Sequence, residues 1–300
     1  MPAVALPAPC SASSRRRSYG APPLAEVAAY YASKTAAILR RYGPGPRVHY
    51  HTGLMDEVEP RSESAAVLRE QLVAAQERSL YHAAEVWQAA TNLSGEVLDV
   101  GCGLGGGAIF WAQEFGANVT AVTCVPDHAR LVAELAARAG VAARVHPLVA
   151  DALELQGADH FDAAVAVDSS CHLPRPAWFR QLFGLLRQGG LVFVSDCFLG
   201  RGEHPQYEHS FNRYWHTRIG TIPAYLAAAH EAGLQVLGIE DLSLRAANFW
   251  AVTVALIQAE TRAAADIATA APSLAAHKRL RQGLLDGGYQ YALLSFAKSR

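Results

Sequence analysis

The sequence predicts an α/β protein built on a mostly parallel sheet with helices on both faces. Two observations predict it. Short apolar runs alternate with helix-length stretches through the middle of the chain, and the first run ends in EVLDVGCGLGGG, residues 96–107. Alternation of this kind means crossover units, because a parallel neighbour is reached only through a long connection, usually a helix. Glycine at 101, 103, 105, 106 and 107 means that bare backbone is wanted where the first strand stops.

Taken in order, residues 1–23 carry prolines, serines and an arginine triplet and are expected to be a disordered tail. Their charge follows the apolar residues and prolines break the run, so no secretory leader is expected. LAEVAAYYASKTAAILRR (24–41) repeats apolar residues at helical spacing, and the GPGP at 43–46 stops it. Residues 63–91, rich in Ala, Leu, Glu and Gln, predict one long helix or two short ones. Residues 24–93 thus form an N-terminal helical arm or cap ahead of a domain at 94–300.

Within that domain, strands are predicted at 97–100, 119–122, 144–150, 161–167 and 191–196. Helices starting near 106, 126 and 176 alternate with them. Charged and aromatic residues at 201–220 break the rhythm and predict an inserted cap. A helix at 222–233, strands near 234–242 and 249–257, a charged helix around 258–285 and a last strand at 289–298 complete the chain.

Composition narrows the function. With 26 Lys+Arg against 27 Asp+Glu the net charge is −1, so neither nucleic acid nor an anionic membrane surface is an expected partner. No window approaches the ~18 apolar residues of a membrane span. Cys10, Cys102, Cys124, Cys171 and Cys197 include no CxxC pair or metal-finger spacing, which predicts reduced thiols, a cytoplasmic location and no structural metal.

In an open parallel sheet, ligands sit beyond the strand C-termini where the winding reverses. Gly101-Cys-Gly103-Leu-Gly-Gly106 fits the GxGxxG dinucleotide fingerprint, so NAD is one reading. Two details oppose it. A NAD site wants an acid at the end of the second strand, and VTAV ends in Thr123-Cys124. Asp99 also sits inside the first strand end, where a carboxylate is costly unless it orders the loop or meets a cationic ligand.

VLDVGCGLGG resembles the first motif of class I S-adenosylmethionine-dependent methyltransferases. LRQGG (186–190), as the turn before the fifth strand, and VADALEL (149–155) are similar to further motifs of that family. The resemblance implies a Rossmann-like, seven-stranded, mostly parallel sheet and S-adenosylmethionine as cofactor. It implies Asp99, Gly101, Gly103 and Gly105 around the methionine portion, and Asp151 with Ala152 at the adenine. AVTCVPDH resembles the branch that includes cyclopropane synthases and tocopherol methyltransferases, which places Thr123 at the ribose and His128 where that branch has glutamine.

DSSCH (168–172) follows the fourth strand and points into the same crevice, and its carboxylate and imidazole could remove a proton from a hydroxyl or a carbocation. RYGPGPRVHYHTG (41–53) and LLDGGYQYALLSFAK (284–298) are similar to the ends of bacterial geranyl diphosphate C-methyltransferases. That likeness puts Asp168 on the family's glutamate base, with His172 beside it, and Trp215 on an active-site phenylalanine. It implies methyl transfer to an alkene carbon of a small isoprenoid, either a prenyl diphosphate or a terpenoid, through a carbocation. SFNRYWH (210–216), the HYH segment and the closing strand would supply His49, Tyr50, His51, Phe211, Tyr214, Trp215 and Tyr289 to the acceptor, and aromatic faces suit a cation. Arg47, His49, His51, Arg213 and Arg218 could form a patch for a diphosphate, which relatives hold through Mg2+. Transfer to oxygen or nitrogen with His172 as base is the alternative, and a silent cofactor-binding scaffold is a third reading. A homo-oligomer is expected, with the helix at 24–41 as subunit contact or lid.

Overall fold

The computed structural model describes residues 23–57, 64–202, 204–264 and 267–299, so the expected tail lies outside the described residues except at Pro23. An arm of three helices, α1 (Leu24–Tyr42), α2 (Ala65–Val86) and α3 (Ala89–Asn92), precedes the sheet. Then β1 (Glu96–Val100), α4 (Gly106–Phe115), β2 (Asn118–Thr123), α5 (Pro126–Arg138), β3 (Val145–Val149), β4 (Phe161–Val167), α6 (Arg175–Leu185) and β5 (Leu186–Leu199) alternate. The chain closes with α7 (Pro205–Trp215), α8 (Ile222–Glu231), β6 (Leu234–Asp241), α9 (Ser243–Ala264), α10 (Ile267–Asp286) and β7 (Tyr289–Lys298).

The strands form one seven-stranded sheet in the order β3-β2-β1-β4-β5-β7-β6. Strands β1 to β5 run parallel, and β7 is antiparallel to both β5 and β6. The winding therefore reverses between β1 and β4, and a crevice opens above their C-termini. Parallel strands are covered on both faces and read as continuous apolar runs. Val97, Leu98 and Val100 obey this rule, with Asp99 as the exception among them. On one face Trp178 and Phe179 of α6 and Tyr225 of α8 pack on Leu98, Val192 and Val194. On the other, Leu72, Phe110, Trp111 and Val252 from α2, α4 and α9 join Val97, Val119 and Phe193.

The sheet departs from the sequence reading in two places. Residues 249–257 are helix, within α9, because Ala246, Phe249, Val252, Thr253 and Leu256 recur on one buried face at helical spacing. Their β-branched and aromatic residues otherwise read as strand. LRQGG is the opening of β5 and not a separate turn, with a register shift between the Phe161 and Ala163 pairings and Gly189 at φ +77°. The stretch at 63–91 is two helices, divided at Gln88 with φ +51°. The charged helix expected at 258–285 is the end of α9 and α10.

Gly106 shows how the arm is seated. A Cβ there would come within 2.5 Å of His49 Nδ1 and 2.6 Å of the Val48 carbonyl, so only hydrogen lets residues 48–49 lie against the start of α4. Arg47 anchors the same segment through Glu77 at 3.1 Å, Gln113 at 2.8 Å and Glu114. From Val27 through Tyr31 to Ile38, one face of α1 then lies across the crevice. Among the described residues no helix is long and apolar enough to cross a membrane.

Candidate active site

The crevice is floored by the glycine loop. Gly101 has φ +74°, and a Cβ on it would lie 2.6 Å from the Ser169 Cβ, so a side chain here is excluded twice over. Gly103 at φ +56° faces open space. Gly105 differs from the expectation: it faces Val132 of α5 at 2.9 Å and is not part of the crevice wall. The loop turns between Gly103 and α4, which carries that residue to the back.

Asp99 lines the crevice although only 4 % exposed, and burial pushes its carboxyl up to about 7. Among the described residues no hydrogen bond or ion pair reaches it, so a cationic ligand group would offset its burial. Thr123, Asp151 and Ala152 stand on the opposite wall. Thr123 Oγ1 accepts from the Val125 N–H at 3.2 Å, and Asp151 Oδ1 from the Leu153 N–H at 2.9 Å, so both side chains are braced by their own loops. His128 lines the crevice too, but it is 2 % exposed, and its Nε2 pairs with Thr35 Oγ1 of α1 at 2.9 Å. It fastens the lid to α5.

Where the crevice meets a second cavity of about 400 Å³, five polar side chains border both: Tyr31, Tyr50, His51, Asp168 and His172. Asp168 is held at φ +48°, a left-handed conformation that aspartate tolerates better than most residues. Its Oδ2 accepts from the Thr52 N–H at 2.5 Å and the Thr52 hydroxyl at 2.8 Å. Its Oδ1 is buried without a partner. Burial first, and the charge of Asp196 second, push the carboxyl up to about 7. A basic, unpaired oxygen thus stands at the junction.

His172 is braced. Its Nδ1 faces the His216 carbonyl at 3.0 Å and so carries the proton, while Nε2 accepts from the Tyr31 hydroxyl at 2.9 Å. Burial pulls it down to about 4, which keeps it neutral. His51 donates through Nδ1 to the Thr52 carbonyl at 3.0 Å, and its buried Nε2 has no partner. Burial, then neighbouring His49, pulls His51 down to about 3.

The larger cavity is aromatic: Tyr50, Phe211, Tyr214, Trp215 and Trp250 wall it, and His277 sits among them. Phe211 and Trp215 pack at a tilt of 37° with centroids 4.6 Å apart, and Trp250 lies 5.2 Å from His277. His49 is on the cofactor side and pairs with Glu77 at 2.7 Å. Tyr289 packs behind Phe211 at 5.4 Å and bonds the Tyr207 carbonyl, outside the chamber wall. The expected basic patch is not assembled. Arg47, Arg213 and Arg218 border neither cavity. Among the described residues no three His, Cys, Asp or Glu side chains gather to hold a metal ion, and Glu260 in the chamber is taken by Arg41 at 2.8 Å and Arg69 at 3.1 Å. This donor set does not fit a protein-held Mg2+.

The sequence reading missed Tyr31, Thr52, Asp196, Trp250 and His277. Thr52 directly follows the HYH segment and Asp196 ends LVFVSD, so proximity to named motifs was the available signal. Trp250 lay in the stretch read as strand.

A reversed-winding sheet with a bare glycine loop and an unpaired acid at the switch point is the arrangement in which open α/β sheets bind their ligands. Residues 97–190 match the family described as methyltransferase domain. The match covers about a third of the chain, from the start of β1 into β5, and marks that stretch as a methyltransferase domain. It is 28% identical to tocopherol O-methyltransferase, chloroplastic, of Arabidopsis thaliana over 69% of this chain and 63% of that protein. It is 36% identical to erythromycin 3''-O-methyltransferase of Saccharopolyspora erythraea over 34% of each. The chain thus spans less than two thirds of these relatives. In fold it is similar to geranyl diphosphate C-methyltransferase from Streptomyces coelicolor A3(2), with TM-score 0.78 over 92% of this chain and 97% of that one, at 18% identity.

Proposed function

We propose that this protein transfers the methyl group of S-adenosylmethionine to an alkene carbon of an isoprenoid, either a prenyl diphosphate or a terpenoid natural product. The observation that carries the reading is Asp168 Oδ1, unpaired at the one place where the cofactor crevice opens into a chamber walled by aromatic rings. S-Adenosylmethionine supplies a methyl group on a positively charged sulfur. Asp99 offsets that charge, and the α1 lid excludes water. Tyr50, Phe211 and Trp215 present aromatic surface to the acceptor, each cation–π contact being worth roughly 0.5–2 kcal/mol. Asp168 Oδ1 then takes the proton beside the cationic carbon, leaving an alkene.

Transfer to oxygen or nitrogen is the second reading. The unpaired His51 Nε2 at the same junction favours it, as a hydrogen-bond acceptor that could orient a hydroxyl or amino group. Incubation with methyl-labelled S-adenosylmethionine and a panel of geranyl diphosphate, isopentenyl diphosphate and prenylated indoles separates the two. A label on carbon supports the first; a label on oxygen or nitrogen replaces it with the second.

A further inference from the structure

Asp196 has no part in the reaction as described, yet it is 1 % exposed and borders the chamber. Its place follows from strand register. Val167 of β4 pairs with Ser195 of β5, and the Asp168 N–H donates to the Ser195 carbonyl at 2.8 Å. Asp168, the residue after β4, and Asp196, inside β5, therefore stand on adjacent parallel strands, which lie about 4.8 Å apart. Hydrogen bonds are divided unequally between them. Asp196 accepts from Ser170 Oγ at 2.6 Å, the Cys171 N–H at 3.0 Å and the Cys197 N–H at 2.7 Å. Asp168 accepts from Thr52 through Oδ2, with the Tyr291 hydroxyl as a further donor beside it and Oδ1 without a close partner. With donors on both oxygens, Asp196 is the better anion of the two.

The other groups facing Asp168 are uncharged. They are Tyr31 from α1, His51 and Thr52 from the arm, Cys171 and His172 after β4, Cys197 from β5 and Tyr291 from β7. Burial pulls His51 and His172 below neutrality and pushes the Tyr31, Tyr291, Cys171 and Cys197 protons up. Burial raises the Asp196 carboxyl as well, and the donors from Ser170, Cys197 and Cys171 pull against that rise, which leaves Asp196 as the member of the pair whose anion is held by hydrogen bonds.

We propose that Asp196 is a positioning residue for the reaction: its fixed negative charge, one strand over, raises the proton affinity of Asp168 so that Asp168 can deprotonate the methylated acceptor. The inference rests on the reading of Asp168 as proton acceptor. In the step, the C–H bond beside the cationic carbon breaks, its electron pair becomes the new C=C bond, and the proton passes to Asp168 Oδ1. Asp168 is ionised while a positively charged donor is bound; methyl transfer moves that charge onto the acceptor carbon, and loss of the proton to Asp168 Oδ1 discharges it.

Protein labelled with 13C at the aspartate carboxyls, saturated with S-adenosylhomocysteine and titrated by NMR, reads this without any acceptor. Asp168→Asn assigns the resonance. Asp196→Asn is expected to lower the Asp168 midpoint by about one unit or more, the usual effect of removing a like charge. Ser170→Ala removes the 2.6 Å donor that favours the Asp196 anion, so Asp196 holds its charge less well and the Asp168 midpoint is expected to move downward. Saturation with S-adenosylmethionine in place of S-adenosylhomocysteine should lower it. Calorimetric binding of S-adenosylhomocysteine checks that each variant is folded; should Asp196→Asn not fold, Ser170→Ala decides. An Asp168 midpoint unmoved by these substitutions overturns the inference and leaves Asp168 as base intact. Full turnover by Asp168→Asn would instead remove the base while the coupling between the two carboxyls stood.

Discussion

At the scale of single residues, two buried carboxylates have different jobs because their surroundings differ. Asp99 meets the crevice alone, whereas Asp168 is tethered by one oxygen and bare at the other. Asp168→Asn should leave S-adenosylhomocysteine affinity unchanged and cut turnover at least tenfold, since general-base contributions run to about 10²–10⁴; single-turnover kinetics with calorimetry measures both. Asp99→Asn should weaken S-adenosylmethionine more than S-adenosylhomocysteine, because only the former carries the charge that Asp99 offsets. In the wild type that preference should fade as pH falls through about 7, where Asp99 takes up a proton. Equal losses for both ligands would make Asp99 a loop brace only. Trp215→Ala should slow methylation more than Trp215→Phe, and equal rates would remove its role in stabilising the cation.

At the scale of elements, the arm completes a site that the sheet only begins. Thr52 reaches Asp168 from the arm, Tyr31 reaches His172 from α1, and Thr35 reaches His128. Gly106→Ala would drive a methyl group into His49 and the Val48 carbonyl. Overpacking of this kind costs about 1–3 kcal/mol. Thermal unfolding should show the loss, and S-adenosylhomocysteine affinity should fall with it as the arm lifts; an unchanged melting temperature would mean the arm is not seated here. The helical character of 24–41 and the stop at GPGP were legible, since spacing and proline act locally. Which crevice the helix covers was not, because that depends on partners 93 and 141 residues away.

At the scale of the whole molecule, acid stability reflects two opposed sets of buried groups. Burial holds His51, His172 and His277 at about 3, 4 and 4, below the usual value for histidine. Unfolded histidines bind protons below about 6.5, so the stability these groups contribute is full above that value and lost as pH falls towards 4. Asp99 and Asp168, both raised to about 7, act in the other sense: their contribution is lost as pH rises from the ordinary carboxylate range through 7. His277→Phe should therefore flatten the fall in melting temperature between neutral pH and pH 4.5. A fall as steep as the wild type's would show that His277 is not the group taking up the proton.

The sequence by itself determined the alternating α/β plan, the bare loop after β1 and an acid at the end of β4, because strand periodicity, glycine and strand ends are local properties. It misplaced 249–257, where apolar β-branched residues satisfy either period until a neighbouring surface selects one. Only the tertiary structure decided what surrounds Asp168: Thr52, 116 residues away, donates to it, and the register of β4 on β5 sets Asp196 beside it. The physical reason is that a carboxyl's basicity is set by the charges, donors and solvent that folding brings near it, and none of those is a property of its place in the chain.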